Sequence, residues 1–367
     1  MKNINLIKNR LNKVKMGNKE AILLINYNNL GDLICDTPSL RNLRREYQDQ
    51  EIVFLVRNSA SVDLMTKCPY VDTVIEMPHS KDDYDKYYEF CKDLKSRYKF
   101  ILSIQFVRPF KELKRTYISY MLGIEKRLGL IQKDYKDIYL DAFTDYVELY
   151  NNTTRTEESL ELLKLLNIKI DNHLTECWLD NNNIMHFNHD NYIIVQTCAT
   201  MESRMWHKEY FITLIKMILD SNKEIDILLT GTSKENDYIN SIYNSINSDR
   251  VHVYTNINID TLLNYIKNAR LVITNDTGPF HFARAYDVSR IVLFGISPKN
   301  YLIRHNEENC IAFCGTNKCP NNCYIKSITN SNCIDIYKMF GDNYNCINTI
   351  NPVDVFESTM LILEDNK

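Results

Sequence analysis

No stretch of this sequence approaches the ~18 consecutive apolar residues of a membrane-crossing helix, so no transmembrane segment is expected. The basic start is not followed by an apolar core, so a signal peptide is not expected either. Net charge is only −3, which gives no electrostatic reason to bind nucleic acid. There is no Gly-x-Gly-x-x-Gly phosphate loop and no His-x-x-x-His metal pair. These absences point to a cytoplasmic protein. In that compartment the 11 cysteines should be thiols or metal ligands, because structural disulfides are rare there.

What is present is ordinary for a soluble protein: 44% apolar and 25% charged residues. A chain of 367 residues suits two cores better than one. Short β-like runs alternate with helical patterns: AILLIN (21–26), EIVFLV (51–56), VDTVIEM (71–77) and FILSIQF (100–106) are strands, with helices at 32–47 and 83–98. The pattern weakens between 127 and 155 and resumes in the helix 156–168. After the polar stretch 179–191 a second series begins with YIIVQT (192–197), EIDILLTG (224–231), RVHVY (250–254), RLVITN (270–275) and RIVLFG (290–295). Helices are expected near 208–220, 234–246 and 259–268, and from about 279. Such alternation predicts an α/β protein with two doubly wound parallel sheets. The division is a basic extension at 1–20, a first domain at 21–178, a second at 179–350 and a terminal helix at 351–367. Open parallel sheets bind ligands beyond the carboxyl ends of their strands, so a cleft between two facing lobes is expected.

Residues 1–20 carry six Lys/Arg and one Glu. Ile4, Ile7, Leu11 and Val14 share one helical face. Such a basic amphipathic helix could rest on an anionic membrane surface as a peripheral contact. The plainer alternative is a helix packed on its own domain, or a frayed tail.

Two strand ends carry the chemistry. In NYNNLGDLICDTPSL (26–40), Gly31 allows a tight turn and Asp32 opens the helix. Asp32 could be a helix cap or a general base, and this stretch alone favours the cap. In TNDTGPFHFAR (274–284), the helix start at Thr277–Pro279 offers backbone N–H groups and partial positive charge, suited to a diphosphate. Gly278 lets an anion approach, Thr277 adds a hydroxyl, and His281 falls in the first turn. Asp276 suits sugar hydroxyls or a cap better than phosphate. A capped helix with a histidine on its flank is the equal alternative. From QTCATMESRMWHKEYF (196–211), Thr200, Arg204 and Lys208 could reach the same phosphates, and Gly231 could frame a nucleotide base. Asp83 and Asp85 form an Asp-x-Asp, but inside a charged helix start that reads as a solvated face.

Six cysteines crowd residues 310–346. Cys319, Cys323, Cys333 and Cys346 run C-x3-C-x9-C-x12-C, a spacing compatible with a structural zinc or iron. Small buried apolar residues are the competing explanation.

Together these stretches resemble glycosyltransferase family 9, the heptosyltransferases of lipopolysaccharide core synthesis. The likeness is carried by LGDLICDTPSLRNLRREYQDQEIVFLVRNSASVDLMTKCPYVDTVIE and by NDTGPFHFARAYDVSRIVLFGISPKNY. It implies a GT-B fold and an inverting transfer with no catalytic metal. It places Asp32 as catalytic base and Asp276, Thr277, Gly278 and His281 in the donor motif. Arg204 stands where many members have a phosphate-pairing lysine, and Thr200 on a nearby phosphate contact. QTCATMES departs from the family's usual Pro-Gly start. The resemblance further implies ADP-heptose as donor and a lipid-linked core sugar as acceptor, at the inner face of the cytoplasmic membrane. Alternatives are a protein acceptor, which the cysteine run suggests, another nucleotide sugar, or a non-catalytic sugar-nucleotide binder.

Overall fold

The computed structural model describes residues 1–109, 112–132, 136–149, 153–185, 187, 189–295, 299–303, 307–315 and 346–365. The chain divides into two compact units, Met1–Trp178 and Leu179–Lys367.

The first unit holds six strands: β1 (Lys19–Asn26), β2 (Glu51–Val56), β3 (Thr73–Glu76), β4 (Tyr98–Gln105), β5 (Arg127–Ile131) and β6 (Asp145–Glu148). All neighbouring pairs are parallel, in the order β3-β2-β1-β4-β5-β6. The second unit holds β7 (Tyr192–Gln196), β8 (Asp226–Gly231), β9 (Val251–Thr255), β10 (Leu271–Asn275), β11 (Arg290–Phe294) and β12 (Cys310–Cys314). Its order is β12-β11-β10-β7-β8-β9, again parallel. Counted from its own first strand, each sheet has the order 3-2-1-4-5-6. Each therefore has its switch point between its first and fourth strands, where a crevice opens at the strands' carboxyl ends.

The central strands read as continuous apolar runs because helices cover both faces. β1 buries its last six residues, and β7, β10 and β11 are buried throughout. The weak stretch after 127 contains β5 and the edge strand β6, whose residues are exposed or half-buried. β12 is likewise a half-buried edge. Its Cys310 and Cys314 share a face and pack on Phe280, Val292, Phe294, Leu302 and Ile303, as apolar residues would.

The N-terminal helix Lys2–Leu11 belongs to the first unit. Its apolar face, Ile4, Ile7 and Leu11, is buried against the helices Tyr84–Arg97 and Ile118–Leu122. Lys8 and Arg10 lie 3.7 Å above the rings of Tyr120 and Tyr88, and Arg10 also pairs with Asp85 at 3.0 Å. Of the two readings, the plainer one holds: the apolar face is covered by the unit's own core. Asp83 caps the helix Tyr84–Arg97 by accepting from the Lys86 N–H, so the Asp-x-Asp is a helix start. Among the described residues, no helix is long and apolar enough to cross a membrane. The last helix spans Pro352–Asp365 and packs on the helix Lys208–Ser221.

Burying Ile4 completely makes a definite claim about stability. Ile4→Ala should cost about 2–5 kcal/mol, as truncations in a closed core do. Urea denaturation measures it; a loss near zero would mean the helix is not part of the core.

Candidate functional site

In the first unit β1 ends in Asn26, and the chain turns into the helix Leu30–Glu46 at the switch point. Gly31 is buried inside this helix, not in a turn before it, and the one glycine with positive φ among the described residues is Gly123. Asn29 occupies the cap position, so Asp32 is a first-turn residue and not the cap. Its carboxylate, about a third exposed, pairs instead with the buried guanidinium of Arg155, Nε to Oδ1 at 3.3 Å. The same guanidinium reaches Asp36 Oδ1 at 2.9 Å, one helical turn deeper. Asn26 donates its side-chain amide to the other Asp36 oxygen and accepts from the Asn28 N–H at 2.8 Å. A row of Asp32, Arg155, Asp36 and Asn26 thus runs from surface to core. Burial pushes the Asp36 carboxyl up to about 7, against the opposing pull of Arg155 and Asn26.

Local sequence explains why this row is held rigidly. Arg155 opens the helix Arg155–Lys164, fixed by a capping box between Thr154 and Glu157. That helix packs on Leu30–Glu46, with Ser39 donating to Ser159 at 3.1 Å. Pro38 removes the N–H that would bond to the Ile34 carbonyl, and the Thr37 hydroxyl donates there at 2.8 Å in its place. Thr-Pro thus lies inside a continuous helix, the threonine answering the carbonyl that the proline leaves. Asp36, Arg155 and Asn26 were not picked out from the sequence. Their only signal was position: polar residues on faces that must be buried.

In the second unit the sites after β7 and β10 lie side by side at the switch point. Asn275, the last residue of β10, is wholly buried. Its amide donates to the Thr197 carbonyl at 3.0 Å and its oxygen accepts from the Trp206 N–H at 3.1 Å. Trp206 is buried and donates its indole N–H to the Ile350 carbonyl. The loop 197–206 is thereby held against the end of β10. It brings Arg204 to Asp276, 3.3 Å apart, with Asp276 6% exposed and Arg204 about a quarter exposed. The Arg204 Nε is buried without a hydrogen-bond partner. Thr200, on the same loop, is exposed.

Helix Gly278–Ala285 begins beside this pair, with Thr277 at the cap position. The Thr277 side chain makes no cap hydrogen bond; it meets the Thr274 hydroxyl at 3.0 Å. Pro279 takes the first turn, as its missing N–H allows. His281 is buried, 7% exposed, with its ring against Phe280. A Cβ on Gly278 would meet only the Phe282 ring, at an ordinary 3.4 Å, so packing does not require glycine there. Gly231 is different: its Cβ would fall 2.3 Å from Ile239 Cδ1, the end of a buried side chain, which would have to shift. Asp276 is not the helix cap, a position held by Thr277; its carboxylate pairs with Arg204. The pair leaves a cation at a helix N-terminus, one of its donors unengaged, next to a carboxylate that can accept from hydroxyls.

Of the cysteine run, Cys319, Cys323 and Cys333 lie outside the described residues. Cys346 is buried. The backbone at Gly315 rests directly on Cys346 and Ile347, and the Thr349 hydroxyl donates to the Gly315 carbonyl at 3.1 Å.

Comparison with known proteins bears on the family and the fold. The sequence model of glycosyltransferase family 9 (heptosyltransferase) matches residues 91–329, well over half the chain. A lipooligosaccharide heptosyltransferase 2 of Campylobacter jejuni is 25% identical over 271 residues, 72% of this chain and 78% of that protein. Among solved structures, a glycosyl transferase family 9 protein from Veillonella parvula superposes with a TM-score of 0.72 at 16% identity, covering 96% of this chain and 99% of that one. The E. coli ADP-heptose lipopolysaccharide heptosyltransferase II gives 0.68 at 16% identity, covering 95% and 100%. These two likenesses speak to the fold, which is GT-B: two α/β units, each on a parallel sheet. The chain belongs to glycosyltransferase family 9.

Proposed function

We propose that this glycosyltransferase moves a heptosyl group from ADP-heptose to a lipopolysaccharide or lipooligosaccharide core acceptor, in one inverting displacement without a catalytic metal. The observation that carries the reading is the Arg204–Asp276 pair at the uncapped start of helix Gly278–Ala285. A departing nucleoside diphosphate gains negative charge in the transition state. Arg204 offers a guanidinium for it, and the helix start adds backbone dipoles. A divalent ion does this work in many other transferases. Asp276 would accept from a sugar hydroxyl, and Thr200, on the exposed part of the loop, would reach the phosphates. The names of the related proteins support the donor and the acceptor class.

Asp32 would act as general base, taking the proton from the acceptor hydroxyl as its oxygen attacks the anomeric carbon. Arg155 would orient the carboxylate, and Asp36 would set how much of the Arg155 charge falls on Asp32. A mass-spectrometric screen of nucleotide sugars, each with and without chelator, tests the whole reading. Turnover with ADP-heptose in the presence of chelator supports it. Binding of the donor with no transfer to any core acceptor would indicate a sugar-nucleotide binder, and transfer only to protein would move the acceptor class.

Three variants test the parts. Asp32→Asn keeps size and removes the base, so kcat/KM should fall by about 10²–10⁴-fold with donor affinity unchanged; a loss below tenfold would assign the proton elsewhere. Asp36 gives a pH signature. Below about 7 it is protonated, and Arg155 is left to hold the Asp32 carboxylate alone, away from an acceptor hydroxyl. Above that value two carboxylates share the cation. Activity should therefore rise with pH through about 7, and Asp36→Asn should remove that limb of the kcat/KM profile. Finally, Gly278→Ala should fold normally yet raise the donor KM about tenfold, the equivalent of one lost contact of about 1.4 kcal/mol. Gly231→Ala should do the reverse, costing about 1–3 kcal/mol of stability through its clash with Ile239. Thermal melts alongside donor titrations distinguish the two outcomes.

A further inference from the structure

At the amino ends of the strands of the second sheet, away from Arg204 and Asp276, three ligand-type side chains converge. Asp226 opens β8. His252 pairs in register with Leu228, two residues along from Asp226, so both project from one face of the sheet. His189 approaches the same carboxylate from the segment before β7. Its Nδ1 lies 2.7 Å from Asp226 Oδ2, while His252 Nε2 lies 3.3 Å from Asp226 Oδ1. All three ligand atoms fall within 4.8 Å of one another. Asp226 is largely buried, His252 a quarter exposed and His189 43% exposed.

The imidazoles are held by an aromatic wall. Phe187 stacks on His189 with ring centres 4.7 Å apart and meets His252 edge-on at 5.4 Å. Phe187 is itself fixed by edge contacts to Tyr192 and Tyr254 at 5.0 and 5.6 Å. Two ring nitrogens and the Asp226 carboxylate are therefore gathered within 4.8 Å of one another, with the exposed side at His189.

We propose that His189, Asp226 and His252 form a divalent transition-metal site, for which zinc is the fitting ion. Two imidazoles and one carboxylate suit zinc, and a water would complete a tetrahedron. Bond lengths of about 2.0–2.2 Å place tetrahedral ligand atoms roughly 3.3–3.6 Å apart. The His252–Asp226 separation already meets this, and His189, the most exposed of the three, has room to adjust. Magnesium and calcium are disfavoured, since they take oxygen ligands. The ion would tie the segment before β7 to β8 and β9. It takes no part in transfer, which belongs to the carboxyl ends of the strands.

Cobalt(II) is the probe, added to the full-length apo protein, because it separates nitrogen and oxygen ligation from thiolate ligation in the cysteine run. The difference spectrum between the native chain and His252→Gln should show ligand-field bands without a thiolate charge-transfer band. Zinc competition should show affinity at this site lower by at least about 100-fold in the variant, more than loss of an outer-shell partner costs. Heptosyl transfer should be unchanged. A flat difference spectrum with equal metal content, or a difference dominated by thiolate charge transfer, overturns the proposal. Should His252→Gln melt early without metal, His189→Gln, at the most exposed of the three positions, must give the same spectral loss; if it does not, the site is refuted.

Discussion

A buried amide, that of Asn275, joins the loops that follow two adjacent strands of the second sheet. A parallel sheet needs such a joint at its switch point, because the two central strands send their chains away in opposite directions there. The gap between them is lined by strand ends and helix starts, whose polar backbone groups must find partners. Asn275 satisfies a carbonyl and an N–H at once. In doing so it fixes the loop that carries Arg204 and so places that cation against Asp276. Without this bridge the loop that carries the guanidinium would lose its tie to the end of β10.

The first sheet solves the same problem with charge. Asn26 ends its first strand and reaches Asp36, which Arg155 links to Asp32. A buried charge is costly when left without an opposite charge beside it. Here one guanidinium serves two carboxylates and one carboxylate is also held by an amide. The outer carboxylate keeps contact with solvent while the inner one does not. A general base needs that division: a group open to substrate, backed by groups that cannot move.

Much of this was legible in the residues. The central strands are apolar end to end because both of their faces are covered, so EIVFLV appears as β2 without displacement. The helix 259–268 is also found where its periodicity puts it. β5, β6 and β12 went unread, although the edge strands β3 and β9 were found. β6 is exposed or half-buried, so its sequence lacks the continuous apolar run that marked the interior strands. The basic amphipathic helix at the start was read correctly as a helix, but periodicity identifies an apolar face and not what covers it. Packing on the unit's own helices decided that.

The residue pattern alone determined the two α/β units and singled out the candidates Asp32, Arg204 and Asp276, because those follow from local periodicity and from residue type. It could not reveal that Arg155 stands between Asp32 and Asp36, 123 residues away in the chain from the first. Nor could it reveal that Asn275 holds the Arg204 loop, or that His189, Asp226 and His252 meet. Each of these is a contact between polar groups far apart in sequence. Only closure of the sheets brings them within reach, and only burial makes their pairing matter energetically.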